Sequence, residues 1–241
     1  MAPVLPQVTK LGEIALNLLF PQRCIGCGKE GALICSSCHN SLPRVMPPLC
    51  PKCGRPQPSG ILCSSCVSWR AEIDGIRSPF RFDGVMRQAI HQLKYRNLRT
   101  LAAPLAQLLE DYLSTNPVPG EVLVPVPLHR KRLRERGYNQ SSLLARELGK
   151  LTSLPAENEY LIRQRYAPPQ ARTSTVEERQ SNVADAFACR DQRLRDKQVL
   201  LIDDVATSGA TLDAGAAALK AAGVSSVWGL VLAREISKIS G

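Results

Sequence analysis

Apolar positions recur every three or four residues along two central stretches. They fall on Ile90 and Leu93 within Val85 to Tyr95, and on Leu101, Leu105, Leu108 and Leu109 within Leu101 to Leu113. That spacing predicts amphipathic helices. Nearly unbroken apolar runs at Ile76 to Phe82, Val122 to Pro127, Val199 to Ile202 and Val227 to Leu232 predict buried strands. Asn139 to Leu151 reads as a further helix with Asn139 as its cap, and Thr211 to Ala222 as an alanine-rich one. Strands alternating with helices predict an α/β domain on a parallel sheet. The stretch Arg163 to Asn182 is polar, contains proline and lacks an apolar period, which predicts a long mobile loop. Ile14 to Phe20 is apolar but broken by Asn17. It reads as a short amphipathic helix, packed on its own domain or lying on a membrane surface. No apolar run reaches the roughly 20 residues that span a bilayer. Without a basic leader or a small-residue cleavage site, no export signal is expected either, which predicts a cytoplasmic protein.

Eight of the nine cysteines break this pattern. They form four CxxC pairs: Cys24/Cys27, Cys35/Cys38, Cys50/Cys53 and Cys63/Cys66. A CxxC knuckle turns both sulfurs toward one ion, and two knuckles complete a tetrahedral thiolate shell. Gly28 and Gly54 each follow the second cysteine of a pair, where the turn needs unusual dihedrals. Two structural zinc ions are expected. A disulfide framework fits poorly, because cytosolic thiols stay reduced. Redox exchange has no use for four tandem pairs. The short spacers favour sequential pairing, Cys24, Cys27, Cys35 and Cys38 on one ion and Cys50, Cys53, Cys63 and Cys66 on the other. A crossed arrangement, first pair with third and second with fourth, stays open. A closed four-thiolate shell leaves no position for water, so no catalysis is assigned to it. His39 is not needed as a ligand and reads as a surface residue. Cys189 stands alone and reads as a small buried apolar residue. Val67 to Asp74 reads as a linker to the second domain.

The formal net charge is +10 over 241 residues. Residues 1–74 hold seven Lys/Arg against four Asp/Glu, residues 75–241 hold 24 against 17. With two zinc–thiolate sites counted, the first part falls to about −1. The basic character thus belongs to the second part and suits phosphate-bearing partners.

The strongest chemical signal is Val199-Leu-Leu-Ile-Asp-Asp-Val-Ala-Thr-Ser-Gly-Ala-Thr211. The apolar run buries a strand, and Asp203 and Asp204 arrive at its carboxyl end, where open α/β sheets bind ligands. Adjacent carboxylates there suit vicinal ribose hydroxyls, directly or through a metal. Thr207, Ser208, Gly209 and Thr211, with the backbone of Val205, Ala206 and Ala210, offer hydroxyls and N–H groups at a helix N-terminus, a ready anion site.

This segment resembles the fingerprint of the type I phosphoribosyltransferases. The resemblance implies that Asp203 and Asp204 hold the ribose hydroxyls and that Thr207 to Thr211 hold the 5-phosphate of phosphoribosyl pyrophosphate, with Mg²⁺ accompanying it. Ser208 stands where that family usually has Thr. A second segment, Pro125-Val-Pro-Leu-His-Arg-Lys-Arg-Leu-Arg-Glu-Arg-Gly-Tyr-Asn-Gln140, follows a strand end with Leu128, His129, Arg130, Lys131, Arg132 and Arg136 in a basic loop. In the family the loop after this strand binds pyrophosphate; a merely solvated basic loop is the plainer reading. Together with Ile90-His-Gln-Leu-Lys-Tyr95 and Glu178-Arg-Gln-Ser-Asn182, the chain resembles the ComF family, which includes the proteins called GntX. That resemblance implies a short N-terminal helix over 1–22, a double zinc ribbon over 23–70 and a phosphoribosyltransferase-like α/β domain over 75–241. It also implies a flexible catalytic loop with Arg163, Arg165, Gln170, Arg179 and Asn182, with Ala167 where a Thr is common. Lys94 and Tyr95 form a further basic patch, either at the ligand or on the surface. Family members are implicated in natural competence and the use of external DNA. They are associated with single-stranded DNA, a helicase and a recombination mediator.

Two function classes remain. One is a binding factor for phosphoribosyl pyrophosphate that handles single-stranded DNA. The other is a phosphoribosyltransferase of unknown acceptor, displacing pyrophosphate by positioning and charge stabilisation. No nucleobase-binding hood is recognisable, and aromatics at 5% argue against an extended stacking platform.

Overall fold

Residues 22–165 and 186–236 are described by a computed structural model. The expected N-terminal helix, and Ala167, Gln170, Arg179 and Asn182, lie outside the described residues. The cysteine-rich part holds two single-turn helices, α1 (Ser36–Asn40) and α2 (Ser64–Val67), each beginning just after a cysteine. The α/β part follows in the order β1 (Gly75–Arg77), β2 (Phe80–Arg81), α3 (Gly84–Tyr95), α4 (Ala102–Thr115), β3 (Val122–Pro125), α5 (Arg130–Arg136), α6 (Gln140–Thr152), β4 (Leu161–Arg163), β5 (Phe187–Cys189), β6 (Gln198–Ala206), α7 (Ala210–Ala221) and β7 (Ser226–Arg234).

The main sheet is parallel, in the order β1–β7–β6–β3, with β2 joining β7 beyond β1. Its two faces follow from the period of two. Leu200 and Ile202 pack under α3, α4 and α6, whereas Val199 and Leu201 pack under α7 and the β4–β5 pair. Both faces are covered, which is why the strands read as continuous apolar runs. The helices start where local chemistry allows. Asp83 caps α3 through the Gly84 N–H, and Asn139 caps α6 by accepting from the Ser141 N–H.

Several expectations need correction. The strand expected over Ile76 to Phe82 is broken at Ser78-Pro79, where the buried Ser78 hydroxyl donates to the Phe80 carbonyl. The basic loop after β3 is helical: α5 carries all five cations, with His129 Nδ1 capping it by accepting from the Lys131 N–H. Gly137, at φ 78°, closes it. The polar stretch begins inside regular structure, since Arg163 lies in β4 and pairs with Phe187 of β5. Val67 to Asp74 is no free linker. Ile73 is fully buried, its N–H donates to Asp213 of α7, and Asp74 accepts from Lys220 and from the Val227 N–H. Cys189 is half-buried, its thiol 3.4 Å from the Ala218 carbonyl, rather than lost in the core.

The most consequential difference lies in β6. It runs to Ala206, so Asp203 and Asp204 sit within the strand. β3 pairs only as far as Pro125 opposite Ile202, whereas β7 pairs on to Arg234 opposite Ala206. The Leu123 N–H bonds outward to Pro155, so Pro125 and Pro127, of the same parity, sit where a missing N–H costs the β3–β6 ladder nothing. Among the described residues, β6 has no neighbour on its β3 side beyond Ile202, and Asp203 lies at that crevice while Asp204 is enclosed against α3.

Candidate phosphate site and zinc centres

The aspartates are held by different elements. Asp204 shares the parity of Leu200 and Ile202 and meets α3, where Lys94 Nζ lies 2.7 Å from its Oδ1. Asp204 is 2% exposed, and its Oδ2 has no hydrogen-bond partner among the described residues. Burial opposes the Lys94 charge, but Asp204 outweighs it and holds the ammonium above its usual range. Asp203 accepts from the Ser141 hydroxyl at 2.8 Å and from the Asp204 N–H at 2.9 Å, both on Oδ1. Burial and the adjacent Asp204 charge push its carboxyl up to about 7, against the pull of Lys94 and Ser141.

That shift fixes a pH dependence. An acid whose pKa is raised on folding stabilises the folded state below its unfolded value, near 4, and loses that contribution as pH rises through about 7. Asp203→Asn should therefore match the wild type near pH 4 and gain on it up to pH 7, by about 1 kcal/mol or more. Urea denaturation at a series of pH values measures this; a constant difference across the window would contradict it.

After Ala206 the chain turns through Thr207, Ser208 and Gly209 into α7. Ser208 Oγ accepts the Ala210 N–H, and Gly209 sits at φ 93°. A side chain there would be doubly refused: its Cβ would come 2.9 Å from Ile76 Cδ1 and 3.1 Å from the Trp69 ring. The expected helix start at Thr211 moves one residue earlier, to Ala210.

The basic residues converge on the same edge. Lys94, Tyr95, Arg132 and Arg136 line one cavity of about 550 Å³ with Asn97, Glu135 and Tyr138. The Arg136 guanidinium lies 5.3 Å from the Tyr95 ring centre. Arg163, stacked on Phe187, is pulled down by burial and by Arg132 and pulled up by Asp203. Arg165 is exposed, as are Arg130 and Lys131 on the outer side of α5, while Leu128 and His129 are partly covered. Sequence reasoning missed Ser141 and the Lys94–Asp204 pair. Lys94 lies four residues after the buried Ile90, and that spacing was a usable signal. Nothing local marked Ser141.

The cysteines settle into two clusters. The sulfurs of Cys24, Cys27, Cys35 and Cys38 lie within 4.8 Å of one another, as do those of Cys50, Cys53, Cys63 and Cys66. The pairing is sequential, and the crossed alternative is excluded. In each cluster a knuckle N–H points at the first sulfur, from Cys35 to Cys24 at 3.4 Å and from Cys63 to Cys50 at 3.5 Å. Burial would raise these two thiols, but backbone N–H groups overcome it and bring each down to about 6. Cys38 is instead pushed up to about 12, chiefly by its contact with Cys24. Four soft donors packed this closely, some already biased toward thiolate, fit Zn²⁺ with no open position. His39 stands outside the shell, partly covered, with Nδ1 3.5 Å from Asn40.

Comparison with known proteins agrees with this division. Residues 15–67 match the double zinc ribbon domain, and residues 134–240 match the phosphoribosyl transferase domain. Competence protein ComFC of Bacillus subtilis is 32% identical over 82% of this chain and 84% of its own. Competence protein F of Haemophilus influenzae is 30% identical, covering 89% of this chain and 98% of its own. The chain belongs to the ComF family. DNA utilization protein YhgH of Escherichia coli K12 is 29% identical over 81% of this ComF-family chain and 89% of its own length. No helix among the described residues is long and apolar enough to cross a membrane.

Proposed function

We propose that this chain binds phosphoribosyl pyrophosphate in the crevice beyond β3 and acts in the uptake and use of external DNA. The observation that carries the ligand reading is convergence. The acidic pair of β6, the turn at the N-terminus of α7, Lys94, and the cations of α5 and β4 surround one edge of the sheet. Carboxylates suit ribose hydroxyls, the turn suits a 5-phosphate, and Arg132, Arg136 and Arg163 suit the pyrophosphate. Gln170 and Arg179, outside the described residues, would join Arg163 and Arg165 over the sugar. The names of the competence and DNA utilization relatives support the cellular role.

In this reading residues 23–70 are the zinc ribbon unit and 75–241 the ligand unit of a cytoplasmic protein. Single-stranded DNA is the polyanion at the basic surface, and a helicase and a recombination mediator are partners. Asp203 and Asp204 are hard oxygen donors of the kind Mg²⁺ takes. Lys94, however, already neutralises Asp204, so Mg²⁺ arrives with the pyrophosphate rather than as a resident ion.

Calorimetric titration with magnesium phosphoribosyl pyrophosphate is the test. Wild-type binding is expected, with at least a tenfold (~1.4 kcal/mol) loss for Asp203→Asn plus Asp204→Asn. Unchanged affinity in a folded double variant sinks the ligand reading. Release of pyrophosphate in the presence of bases or amines would turn the conclusion toward a transferase. DNA affinity altered by the ligand without turnover would keep it a binding factor.

A further inference from the structure

The second cysteine cluster touches the phosphate turn through one residue, Arg55. Its carbonyl accepts the Cys50 N–H at 2.8 Å, so its backbone belongs to the knuckle. Its side chain crosses to β6 and α7, where Nη2 donates to the Thr207 carbonyl at 3.0 Å. A trans peptide points its C=O and the following N–H in opposite directions. Fixing the Thr207 carbonyl toward the ribbon therefore turns the Ser208 N–H away from it.

The rest of the contact leaves the knuckle little freedom to shift. Gly54, at φ 69°, lies so close to β1 that a Cβ would come 2.4 Å from the Ile76 carbonyl oxygen. The Ile76 N–H donates to Lys52, and Arg77 donates to Pro51. Trp69 packs on the buried sulfurs and also lies beside Gly209.

Charge adds a second argument. Zinc with four thiolates carries roughly two net negative charges. Arg234 ends β7 opposite Ala206, is 1% exposed, and has Nε and Nη1 without partners among the described residues. It lies within electrostatic reach of Cys53, Cys63 and Cys66 and of Arg55. Two buried or half-buried guanidiniums thus balance the second cluster. Among the described residues, the first cluster has no such link to the phosphate turn. Its Ile25, Leu33 and Ile34 pack on the core under α3 and α4, and Gly26 lies against Val85.

We propose that the second cluster is a structural part of the phosphate site. With zinc bound, it sets Arg55, Arg55 sets the Thr207 peptide, and metal loss there, unlike loss from the first cluster, weakens ligand binding. This rests on the reading of the turn as a phosphoribosyl pyrophosphate site. Arg55 is a positioning residue and need not touch the ligand.

The test is calorimetric titration of the full chain with magnesium phosphoribosyl pyrophosphate, with zinc content and melting temperature measured on each sample. Arg55→Ala should bind about tenfold more weakly while keeping both zinc ions, a loss typical of one charged hydrogen bond. Arg55→Lys, which can still donate to the Thr207 carbonyl, should recover part of that loss. Arg23→Ala, removing an exposed ion pair with Glu30 on the first ribbon, should change nothing. Wild-type binding with Arg55→Ala within about twofold of it overturns the inference alone. No binding by the wild type removes the ligand reading as well. If Arg55→Ala sheds zinc, Cys63→Ser and Cys35→Ser decide: greater loss of affinity in the first supports the proposal, and equal loss overturns it.

Discussion

Lys94→Met is expected to destabilise the protein by about 3 kcal/mol near neutral pH, the cost of leaving a buried carboxylate without its counter-charge. Asp204 is almost fully enclosed, one oxygen faces Lys94 at 2.7 Å, and the other has no partner among the described residues. Removing the ammonium leaves the enclosed carboxylate without its counter-charge. Lys94→Met combined with Asp204→Asn should recover most of the loss, because neither charge is then stranded. Denaturant midpoints of the two single variants and the double variant form the cycle. Losses that simply add would show that the ion pair is not what Lys94 contributes.

Metal removal is the other large effect. A chelator strong enough to take both ions should unfold the cysteine-rich part outright, since structural zinc contributes on the order of 10 kcal/mol or more of apparent binding energy to small domains. The two clusters should not be equivalent. Cys66→Ser should lower the melting temperature more than Cys38→Ser, because it also strips the counter-charge from the buried Arg234 and frees Trp69 and Gly54 from the sheet. Metal analysis with thermal melting checks both parts. Equal shifts for the two variants would mean that the second ribbon is no more tied to the α/β core than the first.

The apparent loop after Pro127 shows where local reading stops. Five cations in seven residues look like a solvated loop, because α5 buries no side chain of its own and so shows no apolar stripe. Its helicity comes from the His129 cap and the Gly137 end, which are single residues rather than a periodicity. Residues 67–74 misled for a related reason. Their apolar content is too sparse to mark a strand, yet Ile73 fills a gap in the core that only the assembled sheet creates.

The sequence by itself determined the elements whose signals are local and repeated. These were the four CxxC pairs, the amphipathic helices, the apolar strands of a doubly covered sheet, and the acidic pair that leads from one of them into a Thr-Ser-Gly turn. Each is decided within one or two turns of chain, by knuckle geometry, by a period of 3.6 or 2, or by a cap. Only the tertiary structure decided what depends on registers between distant segments. It made β3 end at Ile202 of β6, so that Asp203 lies at the edge of a crevice with Asp204 enclosed beside it. It set Lys94 against Asp204 across 110 positions, Ser141 against Asp203 across 62, and Arg55 against Thr207 across 152. Such contacts carry no local periodicity, because they arise where packed layers meet.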